Sequence, residues 1–171
     1  RSVLYLNTKL FVTALEYNTC VDQYADGIYR FILYNIKDED DARDVVQDTF
    51  EKCWRNHENV QYEKAKSYLF TTAHHTMIDR IRKSSRQELL NEYHEEPSHS
   101  KHYSDLKNVL KLALDKLPSI QKSVILLRDY EGYDYKEIGE ITGLSESQVK
   151  VYIYRGRVAL KEFIGSMSNV I

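Results

Sequence analysis

The sequence predicts an all-α chain: two small helical domains joined by a flexible acidic linker, the second carrying a helix-turn-helix. Three observations predict it. Apolar residues recur at three- and four-residue steps through most of the chain, the spacing of one helix face. Only two prolines occur in 171 residues, Pro97 and Pro118, and both fall where a helical pattern stops. Two capping boxes, Asp134 with Glu137 and Ser145 with Gln148, flank Gly143, so a short helix, a tight turn and a longer helix follow one another.

The first domain is assigned to residues 1–86, the linker to 87–104 and the second domain to 105–171. Phe11, Leu15, Val21, Tyr24, Ile28, Phe31 and Ile32 give a helical period to Ile36, interrupted near Asn18 or Thr19. Asp38 is placed to cap a second helix reaching about Arg55. That helix has two faces. Ala42, Val45, Val46, Thr49, Phe50, Cys53 and Trp54 make the buried stripe; Asp41, Asp44, Asp48, Glu51 and Arg55 make the other. The acidic run lacks the glycine and final Glu of a calcium loop.

A third helix spans about Ala65 to Arg86, with Leu69, Phe70, Ala73, Met77 and Ile81 inward. Its outer stripe is Tyr68, Thr71, His75, Asp79, Arg82 and Arg86. Rings, hydroxyls and guanidiniums on one surface suit nucleic acid, although such a mixed face is often only solvated. The linker is polar and acidic, with little periodicity past Leu90. The second domain opens with LKNVLKLALDKL, breaks at Pro118, continues to about Tyr130 and turns at Gly132. In its helix-turn-helix, Ile138, Ile141, Leu144, Val149 and Ile153 form the seam, and Gly139 lets the backbones approach. The second helix leaves Ser147, Lys150, Tyr154, Arg155 and Arg157 outward, which is how a helix is presented to a DNA major groove.

Charge supports this division. The formal net charge is −2, unusual for a protein that only grips DNA. It is segregated, however: Asp38 to Glu51 holds seven acids and one Arg, whereas Lys64 to Arg86 holds six bases and one Asp. Alternating blocks fit a chain that touches both nucleic acid and a basic protein surface. Cys20 and Cys53 lie in apolar helical patterns without metal-ligand spacing, so buried thiols in a reducing compartment are expected. No apolar run approaches the ~18 residues of a membrane span, and the first residues lack a signal-peptide pattern. The expected location is the cytoplasm. His74 and His75 diverge by about 100° on a helix and do not share one ion. No phosphate loop or nucleophile motif occurs, so no catalytic residue, metal or cofactor is assigned.

Three motifs in order carry a family resemblance. DARDVVQDTFEKCW (Asp41 to Trp54) resembles the A-E-D-L-V-Q-E-x-F-x-x-x-W signature of extracytoplasmic-function (ECF) sigma factors. AKSYLFTTAHHTMIDRIRKSSR (Ala65 to Arg86) resembles their W-L-x-x-I-A-x-N-x-x-x-D-x-x-R helix, and Leu117 to Lys161 is similar to their C-terminal domain. The resemblance runs from about Cys20 to Phe163. It implies a dissociable subunit of bacterial RNA polymerase that recognises promoters and is not an enzyme. Asp44, Gln47, Asp48 and Glu51 would dock on the coiled coil of the β′ clamp. Tyr68, Thr71, His74, His75, Arg80 and Arg82 would hold the opened −10 element. Glu146, Ser147, Lys150, Val151, Tyr154 and Arg155 would read the −35 duplex, with Arg157 on phosphate. The C-terminal domain would also meet the β flap, and the acidic linker would thread channels that otherwise hold nucleic acid. The resemblance also leaves room for an anti-sigma factor bound across both domains. A monomer is expected when free.

The chain departs from the pattern at His75, where Asn is usual, at Tyr68, where Trp is common, and at Gly156, where Ala is usual. Tyr152 and Tyr154 replace frequent basic residues. These changes bear on which promoter sequence is read. The alternative reading is a two-domain regulator that binds duplex operators without polymerase; it leaves the Asp41–Trp54 signature and the acidic linker unexplained.

Overall fold

The computed structural model describes residues 12–90 and 106–168, and among them every regular element is helical. Helix α1 runs Ala14–Ile36 behind a full capping box, in which the Thr13 side chain accepts from the Glu16 N–H and Glu16 accepts from the Thr13 N–H. The interruption expected near Thr19 does not occur: α1 is continuous, and the Thr19 hydroxyl is accommodated within it by donating to the Leu15 carbonyl. Lys37 ends α1 in the left-handed region, at φ 67°. Helix α2, Glu39–Arg55, starts where the Asp38 carboxylate accepts from the Asp41 N–H at 2.8 Å. Two short 3-10 turns, His57–Asn59 and Tyr62–Lys64, lead to α3, Ala65–Leu90. Thus α3 runs past Arg86, the expected domain limit, and into the assigned linker; the rest of that linker lies outside the described residues.

Helices α1, α2 and α3 bury one face each. Cys20, Ile28, Phe31 and Ile32 meet Ala42, Val45, Phe50 and Cys53, with Leu69, Phe70, Ala73 and Met77 below. Trp54 departs from its expected inward place. It is 43 % exposed at the edge of the stripe, stacked on His57 at 4.8 Å and tilted against Tyr17 at 5.0 Å. Burial pushes both thiols up, Cys53 to about 11 with a further contribution from Cys20.

The C-terminal group is α4 (Leu106–Asp115), α5 (Ser119–Ile125), α6 (Tyr135–Thr142) and α7 (Glu146–Ser168). Between α5 and α6 the chain widens into a π turn over Leu126–Tyr130, and Tyr133 donates its N–H to the Leu127 carbonyl at 3.0 Å. The sequence led to two units hinged apart. Instead the two groups pack together. Tyr133 sits edge-on to Phe70 of α3 at 5.2 Å, and α6 lies along α3. Lys122, only 5 % exposed, donates to the Tyr34 carbonyl at 2.9 Å and to Asp115 at 3.1 Å. Burial of apolar surface favours this contact, so one continuous core includes residues of both groups.

Candidate nucleic-acid interface

The helix-turn-helix is built by local hydrogen bonds. Asp134 and Glu137 form a reciprocal box at α6, and Ser145 and Gln148 form one at α7, at 2.9 and 3.2 Å. Gly143 closes α6 at φ 76° and donates to the Gly139 carbonyl. Gly139 serves a closer contact than a helix crossing: a Cβ there would stand 2.7 Å from the Leu144 carbonyl oxygen. Gly156 is placed against α5, where a Cβ would overlap Cδ1 of Ile125. An Ala there would have to displace that side-chain tip at the tight contact between α5 and α7.

All seven residues assigned to duplex reading are exposed on α7: Glu146, Ser147, Lys150, Val151, Tyr154, Arg155 and Arg157. Tyr154 is 71 % exposed, a large apolar ring offered to solvent. They are not equally free. Lys150 pairs with Glu146 at 2.9 Å and lies over the Tyr135 ring. Arg157 is held by both carboxylate oxygens of Asp129, the main reason its pKa rises. Arg155 has no ion pair among the described residues. Tyr135, which the sequence reading passed over, lies between Arg128 at 4.6 Å and Lys150 at 5.4 Å and steadies the side of the motif. An aromatic directly after the capping Asp134 was the available signal.

The six candidates on α3 separate. Tyr68 and Thr71 are half-buried and line a cleft with Lys136, Glu137 and Glu140 of α6, while Asn56 donates to the Tyr68 hydroxyl at 3.2 Å. His75 and Arg82 are exposed beside a second cleft, which Pro118, Ser119 and Thr142 complete. His74 lies at the floor of that cleft, 5 % exposed. Arg80 turns away from these toward α2. Its guanidinium bonds Asp41 and, at 3.0 Å, Asp44, and those bonds raise its pKa. Arg80 is therefore set to shape the acidic face of α2. On that face Asp44, Gln47, Asp48 and Glu51 are all exposed. Asp44 is tied to Arg80 and Glu51 to Arg55, whereas Asp48 has no ion pair among the described residues.

His74 gives a pH test. Burial, then the neighbouring His75, push its pKa down to about 4. Asp79 and Arg82 are the other charged groups lining the cleft. An unfolded His binds a proton below its usual ~6.5, so the native state loses stability as pH falls from 6.5 toward 4. At pH 5 the loss should be about 2 kcal/mol relative to pH 7.5, and it should vanish in His74→Gln. Thermal melts of both proteins across that range measure it; parallel pH profiles would refute it.

Among the described residues no helix is long and apolar enough to cross a membrane, and no group of three metal-ligating side chains converges.

Residues 20–87 match the family Sigma-70 region 2, and residues 107–160 match Sigma-70, region 4. The RNA polymerase sigma factor SigV of Bacillus subtilis (strain 168) is 33 % identical over 141 residues, which is 80 % of this chain and 84 % of SigV. The ECF RNA polymerase sigma factor SigM of the same organism is 27 % identical over 81 % of this chain and 88 % of its own. Among solved structures, the sigma factor RpoE from Bartonella quintana, in complex with the anti-sigma factor NepR, shares the fold. Its TM-score is 0.76 at 24 % identity, over 88 % of this chain and 97 % of RpoE. With two regions matched in order on helices that carry the expected motifs, the chain belongs to the ECF sigma factors, the subunits that bind core RNA polymerase and direct promoter-specific initiation.

Proposed function

We propose that this sigma factor divides its work among three surfaces, in two units assigned to residues 1–86 and 105–171. The exposed acids of α2, centred on Asp48 with Asp44, Gln47 and Glu51, dock on the β′ clamp coiled coil. Tyr68, Thr71, His75 and Arg82 on α3, joined by His74 once it is uncovered, hold the opened −10 strand. Stacking rings and cations replace there the stacking that melting removes. Arg80 serves the first surface rather than the second. On α7, Glu146, Ser147, Lys150, Val151, Tyr154 and Arg155 read the −35 duplex, while Arg157, oriented by Asp129, positions the helix on phosphate.

The observation that carries this reading is the pairing of an exposed acidic helix with an exposed basic recognition helix on one chain. Polymerase supplies the catalysis, so the chain itself needs no catalytic group, and it works in the cytoplasm where polymerase and promoters are. The β flap would receive the C-terminal unit. RpoE was solved with the anti-sigma factor NepR, and CnrH with the cytosolic domain of CnrY. A partner of the anti-sigma kind is proposed here as well.

Co-purification with core polymerase, followed by run-off transcription from a genomic library, tests the whole reading. New start sites sharing spaced −35 and −10 elements are expected. Tight duplex binding by the free chain with no affinity for core would support the operator-binding regulator instead. Arg155→Ala should cost about 1–3 kcal/mol of −35 recognition, a loss of roughly 5- to 150-fold in transcription at limiting sigma factor. Lys150→Ala should cost less, because its ammonium is already shared with Glu146. Run-off yields at limiting sigma factor measure both.

A further inference from the structure

The outward side of α7 is divided along its length. Val149, Ile153 and Gly156 are buried against the rest of the C-terminal group. Opposite them stands a line of four exposed residues, Ser147, Val151, Tyr154 and Val158. At about 100° per residue, the last three fall within about 40° of Ser147 around the helix. Lys150 and Arg157 lie about 60–80° to one side of Ser147, and Arg155 about 80° to the other. Val151 is 44 % exposed, Tyr154 71 % and Val158 39 %, so apolar surface occupies the crest of the helix and cations its two shoulders. Tyr152 is not part of the crest; it is half-buried and packs on the core.

A helix lowered into a major groove brings its crest to the base edges and its shoulders to the phosphates of both walls. Cations on both shoulders match the two phosphate rows that border the groove. That charge pattern selects duplex DNA as the occupant of the crest.

What the crest can read follows from its chemistry. Valine neither donates nor accepts a hydrogen bond, so the donor and acceptor pattern of the base edges is closed to it. The C5-methyl group of thymine is the apolar feature of the major-groove code. Branching at Cβ leaves Val151 few rotamers to lose on contact. The Tyr154 ring adds an apolar body whose hydroxyl stays at the wet end. Val151 and Tyr154 are about 4.5 Å apart along the helix axis, close to the ~3.4 Å between successive base pairs. Val158 lies about 10 Å beyond Val151, past the N-terminal turns from which such helices touch bases.

We propose that Val151 and Tyr154 read thymine methyl groups on neighbouring base pairs of the −35 element, so that this chain selects a thymine step by apolar contact. The proposal rests on the role given to α7 above and adds which base is read and by what chemistry.

Holoenzyme assembled on core polymerase, given a promoter library randomised at −35, should select duplexes with thymine at two neighbouring steps. Those duplexes are then remade with deoxyuridine, which pairs as thymine does and lacks only the methyl. A buried methyl is worth about four-fold in affinity. Each replacement should therefore lower run-off yield at limiting holoenzyme roughly three- to five-fold, and both together roughly ten- to twenty-fold. In Val151→Ala the loss at one step should shrink below about two-fold, and in Tyr154→Ala the loss at the other. Both side chains are exposed, so neither substitution threatens the fold.

An effect of deoxyuridine on the DNA alone would persist in both variants, and that persistence overturns the proposal. So does a parent indifferent to deoxyuridine. If the crest faces a protein instead, both variants should weaken assembly with core in a pull-down without DNA, which overturns it as well. Arg155→Ala distinguishes the failures. Lost yield with Arg155→Ala beside a neutral deoxyuridine would keep α7 on the −35 element and remove only the methyl contact. No selection at −35 and no loss with Arg155→Ala would remove α7 from that element altogether.

Discussion

Asp48→Arg should abolish stable binding to core polymerase while leaving the fold intact. Four residues were assigned to that contact, and their partners separate them. Asp44 gives an oxygen to Arg80 and Glu51 gives one to Arg55, so each already has its charge partly compensated within the chain. Asp48 has no ion pair among the described residues and is exposed on α2. Docking a basic surface there forms a new charge pair rather than exchanging an old one. Reversing the charge removes that pair and adds a like-charge contact, at a cost of about 2–5 kcal/mol, or roughly 30- to several-thousand-fold in affinity. An exposed substitution of this kind changes stability by only about 0.5 kcal/mol. Pull-down with core beside a thermal melt separates the two effects. Normal holoenzyme assembly by Asp48→Arg would remove the acidic face of α2 from the polymerase contact.

Gly139→Ala should destabilise the C-terminal group, and −35 recognition with it. The obstructing atom is the Leu144 carbonyl oxygen, at 2.7 Å from the added Cβ. That oxygen belongs to the turn, pinned on one side by the left-handed Gly143 and on the other by the Ser145–Gln148 box. It has no rotamer by which to withdraw. Alanine gains about 1 kcal/mol of helix propensity over glycine, but backbone displacement of this kind costs about 1–3 kcal/mol or more. The net effect should be unfavourable. Gly156→Ala is the instructive contrast. There the overlapping atom is the tip of the Ile125 side chain, which can turn, so the propensity gain largely offsets the strain. Denaturant titration of both variants should find Gly139→Ala clearly less stable and Gly156→Ala near the parent. A Gly139→Ala protein as stable as the parent would show that the turn can yield.

The reason for Gly156 illustrates how far sequence reading reaches. Its cost to helix propensity was legible; the neighbour an added Cβ would have to move was not, because Gln121 and Ile125 approach it from another helix. Arg80 is similar. A basic residue on the helix beside His75 and Arg82 reads as one more nucleic-acid contact. Only the packing of α2 on α3 turns its guanidinium onto Asp41, 39 residues earlier in the chain. His74 shows the same limit from the other side: adjacency to His75 placed it on the right helix but said nothing of what would cover it.

The sequence by itself determined the helical class, the caps at Asp38, Asp134 and Ser145, the left-handed turn at Gly143 and the exposed face of the recognition helix. Each is a matter of hydrogen bonds or periodicity within about four residues, which local residue types specify directly. It also determined the family, two of whose three motifs lie inside single helices. The tertiary structure alone decided which faces meet: Lys122 at the Tyr34 carbonyl, 88 residues away, Tyr133 against Phe70, and α6 over α3. A helical period states that a face is apolar without naming the face that will cover it. That choice is made by the fit of two whole surfaces, and in this chain it decides which candidate residues stay exposed and which are covered.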